Sequence, residues 1–509
     1  VLQHDESPTD LSVSRNDAPD VDARSAILLA IKNAFTLGGA LLFTWSIGLG
    51  VRVILPRHLG PTLFGSLNWA EAFTATFFVV LGLGMDGYIR KEVAVRPEIA
   101  SEFYGGSFLV RVAMTLGLLS IIGGILHFTH RSADVSATVF LYALAQFAVN
   151  SNNTLGAMLH AKGRVQGMSA LSVATKVVWA GGVLCAITAH TGLWAYAASY
   201  LASEAIEVVV LTWLARRHLG LAFRIDMAAT AKMLASSLPY YLAAIAVTAY
   251  GKLDVTLLEF GAGSKEVGLY GAASTLAGLT LLVTPMIGWV LMPMLARAAE
   301  RSRAELYGHV CRSMELILTV AIPASLLVNL GADVWIRIVF GAPYAHAAPA
   351  LRVLSTMFVL TYVAMIYGVT LIMLERAWTL TWISVAGLGI NAGLNLVFVH
   401  YSVSALGEGG GGTGCAAAML GTELVVSTCM AIAIGRGAFD RQSISTVIRS
   451  LIVYAIVVVA HVLLRSLGPA RLAVDAALYL VLAVATGALR PKEMLSTVRL
   501  ALRRKPEAT

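Results

Sequence analysis

The chain has 509 residues, of which 58% are hydrophobic and only 13% charged, with a mean hydropathy of +0.77. A soluble domain carries nearer a quarter charged residues, so a soluble globular protein of this length is excluded; lipid is the solvent that suits such a composition. The net charge of +8 does not point to nucleic acid, because the basic residues sit in short segments between apolar runs, as in cytoplasmic loops.

Residues 1–24 are polar and acidic and lack the basic-then-apolar order of a cleavable signal peptide, so a disordered cytoplasmic tail is expected there. Runs of about 20 apolar residues then place helical spans near 27–50, 67–83, 106–128, 135–158, 168–189 and 193–214. After a polar break they continue near 236–258, 267–295, 314–330, 353–374, 379–400 and 415–434, with a last pair near 447–465 and 472–489. The expected fold is an all-α polytopic membrane protein of about 14 helices. It divides into an N-terminal six-helix lobe (25–220), a C-terminal six-helix lobe (221–440), a terminal helix pair (441–490) and a basic cytoplasmic tail (491–509) around a central cleft.

Charge placement supports this map. With the N-terminus in the cytoplasm, the even loops and both tails hold about 26 Lys and Arg residues against 8 in the opposite loops. Both termini are therefore expected in the cytoplasm, which requires an even number of spans. Four cysteines (Cys185, Cys311, Cys415 and Cys429) form no CxxC pair, and all lie in or beside apolar runs, where they read as small apolar fillers.

A weak internal repeat is also present. LGPTLFGSLNWAEA (59–72) and GAGSKEVGLYGAAST (261–275) each pass through a turn and a glycine, Gly65 or Gly268, into a new helix. Six-span copies keep the same orientation in the membrane, so the two lobes are expected to be parallel repeats that face each other across a cleft.

Three patterns resemble chemistry without its context. Gly82–Gly87 matches GxGxxG, but a membrane span precedes it, where a dinucleotide site needs a strand and a βαβ unit. Asn152-Asn153-Thr154 is a glycosylation sequon inside a span, and Gly409–Gly412 reads as a flexible outer loop. No nucleophile–base pair, metal motif or phosphate-binding loop is found, so no enzyme activity, cofactor or ATP-driven step is expected.

Ionisable groups inside spans say more, since each costs several kcal/mol unless paired or wet. Glu204 and Glu207 lie at i, i+3 in the sixth span, and Lys176 is about two turns into the fifth. These three are too deep to snorkel easily, which leaves a structural ion pair or a cavity lining as their two readings. Arg111, Lys252 and Asp254 suit either snorkelling or a cleft, and Glu423 lies in the twelfth span. Gln146, Asn150, Ser151, Asn152 and Asn153 make the fourth span unusually polar. Together they describe a wet, mixed-charge cleft in the first half.

LGPTLFGSLNWA followed by GLGMDGYIRKEVA resembles the opening of bacterial polysaccharide flippases, in the multidrug/oligosaccharidyl-lipid/polysaccharide exporter superfamily. The segment 237–273, with Asp254, Gly268 and Tyr270, is similar to the family's most recognisable stretch. FGAPYAHAAPALRVL, GINAGLNLVFV with Asn391 and Asn395, and GGTGCAAAMLGTELVV with Glu423 continue the family's order over most of the chain.

The resemblance implies a flippase for undecaprenyl-pyrophosphate-linked oligosaccharide, moving repeat units outward across the bacterial inner membrane for lipopolysaccharide or exopolysaccharide assembly. Its implied partners are membrane lipids, a polysaccharide polymerase and a chain-length regulator. Arg90, Arg111, Lys176 and Lys252, with Asn150 and Asn153, become candidates for the pyrophosphate and glycan; Glu204, Glu207, Asp254 and Glu423 become candidates for ion coupling. The alternatives are a multidrug antiporter of the same superfamily, a lipid II flippase and a polysaccharide polymerase. The last would carry a large catalytic outer loop, and no outer loop here exceeds about 20 residues.

Overall fold

The computed structural model describes residues 20–83, 100–161, 166–281, 284, 287 and 291–489. Among them every regular element is a helix. In chain order these are α1 (Asp20–Phe78), α2 (Ala100–Phe128), α3 (Ala133–Ala161), α4 (Gln166–Thr188), α5 (Leu193–Leu219), α6 (Met227–Ala262) and α7 (Ser264–Ala277). They continue as α8 (Met292–Arg301), α9 (Arg303–Leu330), α10 (Ala332–Val339), α11 (Ala348–Met373), α12 (Ala377–Leu406), α13 (Gly410–Ile434), α14 (Arg441–Leu463) and α15 (Arg471–Ala485). Helix is the only solution open to a chain in hydrocarbon without a closed barrel, because it satisfies its own backbone.

Ten helical stretches among the described residues are long and apolar enough to cross a membrane. One of them, Phe43–Gly82, spans a break at Gly60, so α1 runs as two arms. With the second arm counted, and with α3, α6 and α7 added, the set is consistent with about 14 passes. The described helix starts at Asp20, inside the expected tail; residues 1–19, 84–99 and 490–509 lie outside the described residues.

The chain alternates between two faces. Face A carries the break at Gly60, the turns 129–132 and 189–192, Gly263, the segment 331–347, the turn 407–409 and the segment 464–470. Among the described residues, face B carries the connections 220–226 and 374–376, residue 302 and the segment 435–440. α1 to α5 pack on one another, α6 to α13 form a second group, and α14 and α15 pack against α9. One hydrophobic core joins the two groups through Phe64, Trp69 and Phe73 of α1, Tyr270 of α7 and Tyr344. A second core joins the later group to the terminal pair through Val453 and Val457 of α14 and Tyr479 of α15.

The run Gly409–Gly412 departs from the expected flexible loop. Its four glycines are buried, and Gly409 caps α13 with φ +83°. The Gly409 and Gly412 amides donate to the buried Glu266 carboxylate at 2.6 and 3.0 Å. A carboxylate at a helix N-terminus satisfies orphan amides and meets the positive end of the helix dipole. Glycine is required for space: a Cβ on Gly410 would lie 2.3 Å from the Ser402 carbonyl oxygen. The sequon Asn152-Asn153-Thr154 lies within α3, as read.

Candidate functional site

The two helix groups meet at face A through the repeated segments. Gly60 and Gly263 share one backbone conformation, φ/ψ of 72°/172° and 85°/172°. Five residues after each comes a glycine that touches the other segment. A Cβ on Gly65 would fall 1.7 Å from the Ser264 carbonyl oxygen, and one on Gly268 would fall 1.9 Å from that of Pro61. The contact is reciprocal, as in a two-fold interface. Only hydrogen at both positions lets the backbones cross this closely.

Polar contacts surround the crossing. Arg57 donates from Nε to the Val339 carbonyl at 2.6 Å and from its guanidinium to that of Ile338, while the Tyr344 hydroxyl donates to the buried Pro56 carbonyl at 2.9 Å. Arg131 pairs with Glu259 at 2.6 Å and lies 4.4 Å from the centre of the Trp69 ring. Ser264 adds a second hydrogen bond to Glu259 at 2.8 Å. Lys265 reaches Glu408 at 2.9 Å, and this neighbour holds the exposed Glu408 carboxyl below its ordinary pKa. Face A is thus closed by backbone packing and by charged contacts between the groups.

Deeper in the first group, α3, α4 and α5 bring several expected residues together. Lys176 Nζ is 3.8 Å from Glu204, whose side chain is 9% exposed, and it lies over the Trp179 and Tyr200 rings at 5.5 and 5.7 Å. Asn152 Nδ2 donates to the Glu204 carboxylate at 3.0 Å, and Thr175 donates to Glu207 at 3.2 Å. Tyr200 lies within electrostatic reach of Glu204, Glu71 and Glu207. Two carboxylates, Glu204 and Glu207, thus share one ammonium, whose side chain is 34% exposed. The reading as a structural ion pair accounts for Lys176 and Glu204; the surplus of acid gives the cluster capacity for a proton or a small cation.

The other expected residues lie apart from this cluster. Arg111 is 2% exposed and donates from Nε to the Leu81 carbonyl at 2.8 Å, tying α2 to the 3-10 turn that ends α1. Asn150 is half-buried and donates to the Gln146 carbonyl, and Asn153 is exposed. Lys252 is half-buried, two residues from Asp254. Asp254 is 1% exposed and accepts from the Tyr270 hydroxyl at 2.7 Å between α6 and α7. Glu423 is buried in α13, and Asn391 and Asn395 are buried one turn apart on α12, with Asn395 donating to Asn391 at 3.0 and 3.2 Å. Arg90 lies outside the described residues.

Sequence reasoning passed over Glu71, the Arg131–Glu259 pair and Glu266. Glu71 carried a usable signal, an acid inside an apolar span. Arg131 and Glu259 are 128 residues apart, so only the fold pairs them.

A family model described as "Polysaccharide biosynthesis protein" matches residues 30–299, more than half of the chain. No curated protein sequence matches it. Among solved structures, the lipid II flippase MurJ in an inward closed conformation is similar with a TM-score of 0.72 at 10% identity, over 90% of this chain and 99% of that one. An inward-facing multidrug resistance MATE family transporter of the MOP superfamily gives 0.62 at 15% identity, over 77% of this chain and 94% of that one. A mutant of the Vibrio cholerae MATE transporter VcmN gives 0.55 at 13% identity, over 80% and 99%. At these identities the likeness is one of fold.

Proposed function

Because the chain belongs to the polysaccharide biosynthesis protein family, a group of flippases in the MOP superfamily, we propose that it flips undecaprenyl-pyrophosphate-linked oligosaccharide from the inner to the outer leaflet of the bacterial inner membrane. In this reading face A is periplasmic, and face B is cytoplasmic and carries both termini. Sugars and a pyrophosphate cannot cross hydrocarbon, so a polar path between the helix groups carries them while the prenyl chain stays in lipid.

The observation that carries the reading is the reciprocal crossing at Gly65 and Gly268. It closes the interface between the groups at one face, as one end state of alternating access requires. The cluster of Lys176, Glu204 and Glu207 supplies the coupling step: exchange of a proton or sodium ion at the surplus carboxylates shifts the balance between end states. Asp254 and Glu423 are further acidic candidates, and Arg90, Arg111, Lys176 and Lys252, with Asn150 and Asn153, meet the pyrophosphate and glycan.

The test is a deletion strain analysed for lipid-linked oligosaccharide. Accumulation of repeat units facing the cytoplasm, with loss of surface polysaccharide, is expected. Normal glycan with altered drug tolerance would identify the antiporter, and flipped but unpolymerised units would identify a polymerase.

A further inference from the structure

Away from the interface between the groups, a polar cavity of about 520 Å³ opens at face A between the later helix group and the terminal pair. Its polar lining comes from Asn329 at the end of α9, Asp333 in α10, Arg352 in α11, His461 near the end of α14 and Arg471 at the start of α15. Three basic side chains from three helices thus converge where those helices begin or end, at the level of lipid headgroups.

Each basic group is held differently. Arg352 is ion-paired with Asp333. His461 Nδ1 lies 2.6 Å from Asp475, which is fully buried and has its other carboxylate oxygen without a hydrogen-bond partner among the described residues. A carboxylate on Nδ1 fixes the ring and leaves Nε2 as the edge available to the cavity. No ion pair among the described residues engages Arg471, which is half-buried. Apolar surface adjoins the charge: α14 exposes Val459, Val462 and Leu463 around His461, at 59%, 47% and 77%.

We propose that this cavity binds a phosphate group. Arg471 is its main cation, Arg352 adds donors, His461 Nε2 adds one when the imidazole carries both its protons, and hydrocarbon lies along α14. A tetrahedral phosphate takes donors from several directions, and arginine is suited to it. Asp333 sets the Arg352 geometry, and Asp475 is a positioning residue that acts through His461. The phosphate comes from a phospholipid, from a polyprenyl phosphate or from free anion.

The full-length protein in detergent is titrated separately with phosphatidylglycerol, undecaprenyl monophosphate, the phosphate-free diacylglycerol and inorganic phosphate, and bound molecules are counted by native mass spectrometry. One molecule of an anionic lipid is expected to bind, about tenfold more weakly in Arg471→Gln, the effect of losing one charged hydrogen bond. The tighter of the two anionic lipids names the source, and saturable inorganic phosphate that displaces both names free anion. Arg471→Lys retains the charge and is expected to retain most of the binding, which separates lost charge from lost folding. Equal binding of diacylglycerol and phosphatidylglycerol, unchanged binding in Arg471→Gln, or equal loss in the Gln and Lys variants would overturn the proposal.

Discussion

Gly65→Ala places a methyl group in the crossing of α1 and α7. The added Cβ would sit 1.7 Å from the Ser264 carbonyl oxygen, 2.7 Å from its carbonyl carbon and 2.8 Å from the Gly268 nitrogen. All three are backbone atoms that cannot rotate away, so the segments must separate or distort. Overpacking of this kind costs about 1–3 kcal/mol, charged here only to the state in which face A is closed. That shifts the closed-to-open ratio roughly 5- to 150-fold toward open. Gly268→Ala acts on the same crossing from the other side, so the two effects are not expected to add. The assay is a distance distribution between spin labels at His58→Cys and Ala405→Cys, one on each group near face A, with the exposed Cys185 and Cys429 replaced. Gly65→Ala should populate a longer distance and slow flipping. Gly117→Ala, which meets nothing within 4 Å, should leave both unchanged. A distance distribution like that of the wild type in Gly65→Ala, together with intact flipping, would refute the steric argument.

Three further outcomes are expected. Lys176→Met leaves Glu204 without its cation and should cost about 1–2 kcal/mol, less than a fully buried pair because Lys176 is part-exposed; thermal unfolding should show Lys176→Met/Glu204→Gln recovering part of that loss. Arg131→Ala strands Glu259, whose side chain is 2% exposed, and should cost about 3 kcal/mol with a matching fall in Tm; an unchanged Tm would mean that the pair is solvated. Glu408 has a lowered pKa, so its contribution is present above the ordinary value of 4.5 and is lost as pH falls through the lowered one. The difference in Tm between wild type and Glu408→Gln should therefore be small at pH 7, vanish in stronger acid and shrink with added salt.

The helices were legible because hydrocarbon leaves the backbone no alternative, and runs such as 106–128 therefore declare themselves. The glycine repeat was legible as a pattern, but its meaning was not: that Gly65 and Gly268 touch each other depends on how the two groups face. Lys176, Glu204 and Glu207 were found because depth in a span makes an ion conspicuous. The asparagine run shows the limit. Asn150 and Asn153 stand three residues apart on one helix face, and Asn152 points roughly 200° from Asn150; nothing local says which side meets Glu204. Gly409–Gly412 was misread because a glycine run looks flexible until the carboxylate that caps it is known, and Glu266 lies 143 residues from Gly409. His461 and Asp475 were ionisable groups inside spans, so their signal was present.

The closed end also shows where the repeat stops being symmetric. A constant offset of 203 residues relates Gly60 to Gly263, Gly65 to Gly268, and the first residues of α2 and α9, Ala100 and Arg303. It ends at the face A turn after α9, where the second half inserts α10 and a 3-10 turn, Ala342–Ala347. That insert makes the one-sided contacts: Arg57 donates to the last carbonyls of α10, at the negative end of its dipole, and Tyr344 donates to Pro56. By the same offset the counterpart of Arg57 is Phe260, which has no such donor. The glycine crossing alone would be a symmetric contact dominated by packing, which is short-ranged and lost at small separation. The insert adds charge-assisted hydrogen bonds that only one half supplies, so the energy that holds face A closed can be changed without altering the crossing. Arg57→Gln should therefore favour opening while leaving the Gly65–Gly268 geometry of the closed state intact.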